Sequence, residues 1–195
     1  MHRRLAPILA LSALLIAAPV VAGCGSSSGE ETAGTHPDYA KALRGAPAPL
    51  AALHQQEGEL LPGGTAAFEK RIRELRGYPV VANVWASWCG PCQFEFPVLQ
   101  KLSARYGKRI AFVGVNSEDD EAAAKTFLRD EPVPYPSYTD KDKAIARSLG
   151  ASVGLPDTAF FDKRGKLVYL KQGPYAHDSE LEQDIQRFAL EKTDN

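Results

Sequence analysis

An α/β fold with a central mixed β-sheet flanked by helices is the architecture this 195-residue chain predicts. Three observations carry that reading. Apolar runs of strand length alternate with amphipathic stretches of helical period, the pattern of a layered domain with helices packed on a sheet. Two apolar runs near the C-terminus are joined by a short polar turn, so they pair antiparallel and the sheet is mixed. Hydrophobic residues make up 44% of the chain, ample core for one domain of ordinary size with chain left over for appendages.

The first appendage is N-terminal. His2-Arg3-Arg4 forms a short basic head before an apolar run from Leu5 to Ala22, broken by Pro7 and Pro19. This reads as a signal peptide over residues 1–23; an uncleaved signal anchor is the alternative, and both place the domain outside the cytoplasm. Arg3-Arg4 fits an ordinary basic head better than a twin-arginine signal. The run ends Val21-Ala22-Gly23-Cys24, which resembles the lipobox of bacterial lipoproteins, where cleavage falls before the cysteine and the thiol carries a lipid. That resemblance implies lipidation of Cys24 and anchoring to the lipid bilayer on the extracytoplasmic face of a bacterial membrane. Residues 25–49 are rich in Ser, Gly, Ala, Pro and charge, ending Gly45-Ala46-Pro47-Ala48-Pro49, and they read as linker grading into the first contact with the domain, with a flexible tether over residues 24–45, because such a stretch has little to bury. Residues 1–23 hold two of the 23 basic residues and none of the 24 acidic ones, leaving 21 against 24 in the remainder. Such near-balance gives no electrostatic reason to expect nucleic acid.

The folded domain is expected over residues 46–192. After the turn Pro62-Gly63-Gly64, Thr65 to Leu75 has Phe68, Ile72 and Leu75 on one helical face. Arg76-Gly77-Tyr78-Pro79 stops that helix. Val80 to Ala86 is continuous, apolar and rich in valine, as a strand covered on both faces should be. A helix follows, with Phe94, Val98, Leu99 and Leu102 at helical spacing and an end near Gly107. Ile110 to Val115 is a second apolar strand. Ser117-Glu118-Asp119-Asp120 reads as a cap and acidic entry to a helix over Ala122 to Leu128. Three prolines in Glu131 to Pro136 keep that stretch extended or turning. Asp140 caps a short helix through Ala144, Ile145 and Leu149, closed by Gly150. Thr158–Phe161 and Leu167–Leu170 flank Asp162-Lys163-Arg164-Gly165, whose glycine suits the left-handed position of a hairpin turn. Ser179-Glu180-Leu181-Glu182 matches a capping box before a last helix with Leu181, Ile185 and Phe188 on its apolar face.

The chemistry-bearing motif lies where the central strand gives way to its helix: Cys89-Gly90-Pro91-Cys92. Pro91 is pre-set for a first helical turn, so the thiols, at i and i+3, are near neighbours. Unpaired backbone N–H groups and the helix dipole favour a thiolate at such a position, moving a free pKa of about 8.5 into the range of roughly 3.5 to 7.5. Cys89 is therefore the expected attacking sulfur and Cys92 the one that resolves a mixed disulfide. The reactive ends of an open α/β sheet lie at such strand-to-helix junctions.

The run Asn83-Val84-Trp85-Ala86-Ser87-Trp88-Cys89-Gly90-Pro91-Cys92, followed by Glu95-x-Pro97 and by Gly154-Leu155-Pro156-Asp157-Thr158-Ala159-Phe160-Phe161-Asp162, resembles the thioredoxin superfamily. More narrowly it is similar to the membrane-anchored, extracytoplasmic TlpA/ResA-like thiol-disulfide oxidoreductases. The resemblance covers roughly Gly45 to Leu190 and implies a thioredoxin-like fold. It further implies that Cys89 and Cys92 form a redox-active disulfide and that Pro156 is cis and faces the pair across a small groove. The peptide group of Leu155 would pair there with an extended substrate segment, and Trp88 would sit at the rim. Trp85 is expected in the core; of Phe94 and Phe96, one packs inward and the other lies near the groove. Cytoplasmic thioredoxins carry a buried aspartate six residues before the first cysteine, and here that position is Asn83, which cannot take a proton from Cys92. Glu95, three residues past Cys92 on one helix, is the candidate proton acceptor.

Other readings of the cysteine pair fare less well. A zinc site needs two more ligands, and no second pair or spaced histidine pair accompanies the motif, with His36, His54 and His177 isolated. A disulfide closing so short a loop is a poor structural staple. A peroxiredoxin-like peroxidase needs Pro and Thr or Ser seven and three residues before its cysteine, where this chain has Ala82 and Ala86. An oxidant or isomerase, and a tethered module that binds thiol proteins without turnover, remain as alternatives. The Gly90-Pro91 pair resembles thioredoxin's own and favours a reductant. Expected partners are the thiols and disulfides of exported proteins, apocytochrome c among them, and a membrane thiol-disulfide electron donor. No cofactor and no metal are called for, and nothing in the sequence demands more than a monomer.

Overall fold

The computed structural model describes residues 36–151 and 153–190. The expected signal peptide, Cys24 and most of the tether lie outside the described residues. Seven helices, α1 (Tyr39–Ala42), α2 (Ala48–His54), α3 (Gly64–Glu74), α4 (Gly90–Tyr106), α5 (Glu121–Asp130), α6 (Ala144–Leu149) and α7 (Asp178–Asp184), accompany six strands among those residues. The strands are β1 (Leu60–Leu61), β2 (Val80–Trp85), β3 (Ala111–Ser117), β4 (Ser137–Asp140), β5 (Asp157–Phe161) and β6 (Leu167–Gln172). They form one sheet in the order β1-β4-β3-β2-β5-β6. The pairs β1–β4, β4–β3 and β3–β2 are parallel, and β2–β5 and β5–β6 are antiparallel. The sheet is mixed, as the alternation of runs and the terminal hairpin predict.

Central position explains the composition of β2. All six of its residues are buried, and alternate side chains enter opposite layers. Val80, Ala82 and Val84 meet Leu50 and Leu53 of α2, Phe68 and Ile72 of α3, and Ile145 and Leu149 of α6. Val81 and Trp85 meet Phe96, Leu99 and Leu102 of α4 and Leu181 with Ile185 at the C-terminal end. Asn83 shares the parity of Val81 and Trp85, so a polar side chain is delivered to the α4 face of an otherwise apolar strand. Phe96 packs inward against Trp85 at 5.2 Å between ring centroids, and Phe94 is exposed.

Several elements depart from expectation. Residues 38–45, read as tether, include α1, whose Tyr39 is buried and donates its hydroxyl to the Pro132 carbonyl at 2.9 Å. The packed part of the chain therefore begins before residue 46. The Pro-rich stretch around Pro47 and Pro49 conceals α2: Pro47 is its N-cap and Pro49 lies in the first turn, where a missing N–H costs nothing. In β4 the only apolar side chain is that of Tyr138, and the strand exists because β1 and β3 supply its hydrogen bonds on both edges. The final helix starts at His177 as N-cap without a side-chain capping bond. Ser179 and Glu182 make no capping box; Glu180 instead accepts from the Ala176 N–H at 3.0 Å. After α7 the chain continues as a π-helical segment over Ile185–Leu190.

Candidate active site

Cys89 and Cys92 are joined in a disulfide with their Cα atoms 5.2 Å apart, at the point where β2 ends and α4 begins. Cys89 is the N-cap of α4 in extended conformation, and its Sγ accepts from the Cys92 N–H at 3.2 Å. A sulfur thus occupies the acceptor position that serine or aspartate fills in ordinary helix caps, and developing negative charge on it would meet the free N–H groups of the first turn.

The approach to the pair is pinned from the end of β3 and the residues just after it. Asp119 accepts from both the Ser87 N–H at 2.5 Å and the Ser87 hydroxyl at 2.7 Å, and Asn116 Nδ2 steadies the same carboxylate at 2.8 Å. Gln93 Nε2 returns to the Ser87 carbonyl at 2.6 Å. Trp88 is 60% exposed, yet its indole N–H is fixed on the Glu118 carbonyl at 2.9 Å. An exposed tryptophan held in one orientation forms a wall rather than a loose flap.

Glu95 lies in the second turn of α4 and is completely buried. Asn83 Nδ2 donates to one carboxyl oxygen at 2.7 Å, and the Tyr175 backbone N–H donates to the other at 3.0 Å. Burial pushes this carboxyl up to about 7, against the pull of those two hydrogen bonds and of the Lys171 ammonium; the Asp157 carboxylate adds to the rise. Asp157 is itself buried, and burial pushes it to about 6 with Lys171 opposing. Asn83 Oδ1, Asp157 Oδ2 and Thr158 Oγ1 find no hydrogen-bond partner among the described residues. Asn83 is the register partner of Thr158 across β2 and β5. The buried surroundings of Glu95 are thus polar but incompletely satisfied.

Leu155–Pro156 is a cis peptide, the geometry the resemblance implies. It precedes β5, and the Pro156 carbonyl accepts from the Gly173 N–H at 2.9 Å. A groove of about 260 Å³ runs between Trp88 and Leu155, with Asp157 among its lining residues and Glu118, Lys143 and Arg147 contributing charge. Lys143 is paired with Glu118 at 2.5 Å. Trp88 and Leu155, 67 residues apart in the chain, therefore line one groove, and Leu155 packs on the apolar cluster that contains both cysteines.

A family model described as Redoxin matches residues 52–185, from the last turn of α2 through α7, and includes the whole of this site. The chain belongs to the Redoxin family. Over 93 residues, 47% of the chain, it is 41% identical to the thiol:disulfide interchange protein DsbE of Pseudomonas fluorescens, covering 50% of that protein. Over 99 residues, 50% of the chain, it is 31% identical to the thiol-disulfide oxidoreductase ResA of Bacillus cereus, covering 56% of it. The chain thus spans about half the length of these curated relatives. Among solved structures it is similar to one described as a thiol:disulfide interchange protein DsbE from Chlorobium tepidum. That match has a TM-score of 0.54 and 31% identity and covers 58% of this chain and 82% of that one. The fold of this redoxin is thioredoxin-like, as the resemblance implies.

Four residues of the site escape a reading of the sequence. Tyr175 contributes a backbone N–H, for which no side-chain signal exists. Asp119 was legible only as part of an acidic helix entry. Asp157 stands inside the Gly154–Asp162 motif directly after Pro156, a position that could have singled it out. Lys171, near the end of a surface hairpin, carries no mark until the strand register places it beside β5.

Proposed function

We propose that this protein is a thiol-disulfide oxidoreductase, tethered through Cys24 to the extracytoplasmic face of the membrane, that reduces disulfides in exported proteins. The observation that carries the reading is the Cys89–Cys92 disulfide at the N-cap of α4 together with the buried carboxyl of Glu95 in the next turn of that helix. In the dithiol form the Cys89 thiolate attacks one sulfur of a substrate disulfide bound against the Leu155–Pro156 segment. The substrate disulfide breaks, a mixed disulfide forms, and the released substrate sulfur takes up a proton. Cys92 then gives its proton to Glu95 and attacks Cys89 Sγ, and the second substrate sulfur leaves as a thiolate that takes that proton back from Glu95 to become a thiol. Two electrons and two protons have passed to the substrate, and the pair is back in the oxidised state. A carboxyl held near 7 is matched to that proton at neutral pH. Trp88 and Leu155 would flank the bound segment.

A membrane thiol-disulfide donor must return the electrons. Apocytochrome c, whose thiols must be reduced before haem attachment, is a substrate that fits this direction of transfer. Equilibrating the Cys89/Cys92 pair against glutathione tests the direction: a potential near thioredoxin's, about −270 mV, is expected, and one near the strong oxidants, about −120 mV, would overturn it. A Cys92→Ala variant, blocked at resolution, should accumulate exported proteins in mixed disulfides with Cys89.

A further inference from the structure

The loop after β6 reaches both halves of the site. Its Gly173 N–H, presented by a residue at φ +82°, holds the Pro156 carbonyl at 2.9 Å. Two residues on, the Tyr175 N–H holds the Glu95 carboxyl at 3.0 Å. The same short loop therefore touches the segment against which a substrate would lie and the group that would take the proton. What shapes this loop is a single ammonium. Lys171 Nζ donates to three consecutive carbonyls, those of Gln172 at 3.4 Å, Gly173 at 3.1 Å and Pro174 at 3.2 Å, and sits 4.7 Å from the centre of the Tyr175 ring. The far end of that ring is fixed by the Tyr175 hydroxyl on Asp184 at 2.8 Å. Three carbonyls gathered on one cation leave the intervening N–H groups directed away from it, which is how Gly173 and Tyr175 come to serve as donors to the site.

We infer that Lys171 is a positioning residue of the redox site, its ammonium clamping the 172–174 carbonyls so that one loop N–H holds Pro156 and another holds Glu95. The inference rests on Glu95 as the proton acceptor. The groups that act on Glu95 are Asn83 from β2, Lys171 from β6, Tyr175 from the loop, Tyr135 from the segment before β4, the cysteine pair on its own helix, and, at longer range from β5, the Asp157 carboxylate. Among them Lys171 is the cation. Its charge and the N–H it positions both favour the ionised carboxylate, so its loss moves Glu95 upward by two routes of the same sign.

The test compares the full chain with Lys171→Met, which keeps the length of the side chain but not its charge, and Lys171→Arg, which keeps the charge. The Glu95 carboxyl is titrated by carbon NMR in the oxidised state, with its signal assigned by its loss in Glu95→Gln. In Lys171→Met the midpoint should rise by about one unit, a tenfold smaller ratio of ionised to neutral carboxyl at a given pH. The Gly173 and Tyr175 amides should exchange faster with solvent, and Lys171→Arg should restore most of both effects. Reduction of a model disulfide peptide by the dithiol form of Lys171→Met should be several-fold slower near neutral pH and recover toward pH 9. An unmoved midpoint, or equal loss of rate at every pH, would overturn the inference. Failure of the underlying reading is visible separately: Glu95→Gln would then keep the wild-type pH profile of reduction, while the carboxyl titration still reports whether Lys171 acts on Glu95.

Discussion

Asp140, at the end of β4, and Glu95, in the second turn of α4, are acids of nearly equal burial, 2% and 0% exposed, set in unlike surroundings. The Asp140 carboxylate accepts from the Ile145 and Ala146 N–H groups at 2.9 Å each, with the Ser117 hydroxyl at 3.3 Å. Those donors are the orphan N–H groups at the start of α6, and a full negative charge satisfies them better than any neutral group could. Glu95 has one side-chain amide and one loop N–H, and the Oδ1 of that amide, on Asn83, finds no partner among the described residues. Burial with only two donors favours the neutral form of Glu95, because the charged form is then no longer the clear winner.

That contrast can be broken in four places. The largest effect concerns stability against pH. Glu95 and Asp157 have folded pKa values raised from 4.5 to about 7 and from 3.8 to about 6. An acid so shifted binds its proton more tightly folded than unfolded, so its contribution is fully present below the unfolded value and is lost as pH rises through the folded one. Urea denaturation of the oxidised protein should show stability falling from pH 5 to pH 8, and Glu95→Gln should remove about 3 kcal/mol of that fall. An equally steep decline in the variant would mean that Glu95 is no less satisfied than Asp140.

The second prediction is kinetic. Glu95→Gln should slow reduction of a disulfide substrate about 100-fold near pH 7 and flatten the part of the pH–rate profile centred near that value, measured by stopped-flow under single-turnover conditions. Third, Asp140→Ala should cost about 2 kcal/mol of unfolding free energy by leaving two helix N–H groups without their acceptor, while the reduction rate stays within about twofold of wild type. A large loss of rate there would erase the division between a structural and a reactive acid. The smallest effect belongs to the amide beside Glu95. Asn83→Ala removes one of the two donors, so the Glu95 midpoint, read by carbon NMR, should move up by about half a unit; a downward move would show that Asn83 opposes ionisation.

Much of this was legible from local pattern. The valine-rich run at Val80 and the helical spacing after Cys92 located β2 and α4 to within a residue or two. Asp140 was recognisable as the acid that serves α6, although its bonds reach five and six residues on and Lys143 holds the cap position itself. Gly165, at φ +80°, fills the left-handed place in the β5–β6 turn. The misses share a cause. The stretch containing α1 and α2 looks like linker because its few large apolar residues, Tyr39, Leu43, Leu50 and Leu53, are separated by prolines, glycine and charge, and only their burial in the folded chain marks them as core. In the same way β4 has almost no hydrophobic signature and is held by hydrogen bonds to neighbours brought from elsewhere in the chain.

Residue identity and spacing alone determined the alternation of strands and helices, the pairing of Cys89 with Cys92 at a helix start, and the presence of an acid one turn beyond them. These are short-range properties, written in hydrophobic period and turn chemistry. Whether that acid would be solvated or buried, and which groups would face it, only the tertiary structure decided. The sheet register sets Asn83 opposite Thr158, and the loop after β6 brings in Tyr175 from 80 residues away. Desolvation and the count of donors depend on what the rest of the chain places around a carboxyl, and no stretch of sequence near Glu95 records that.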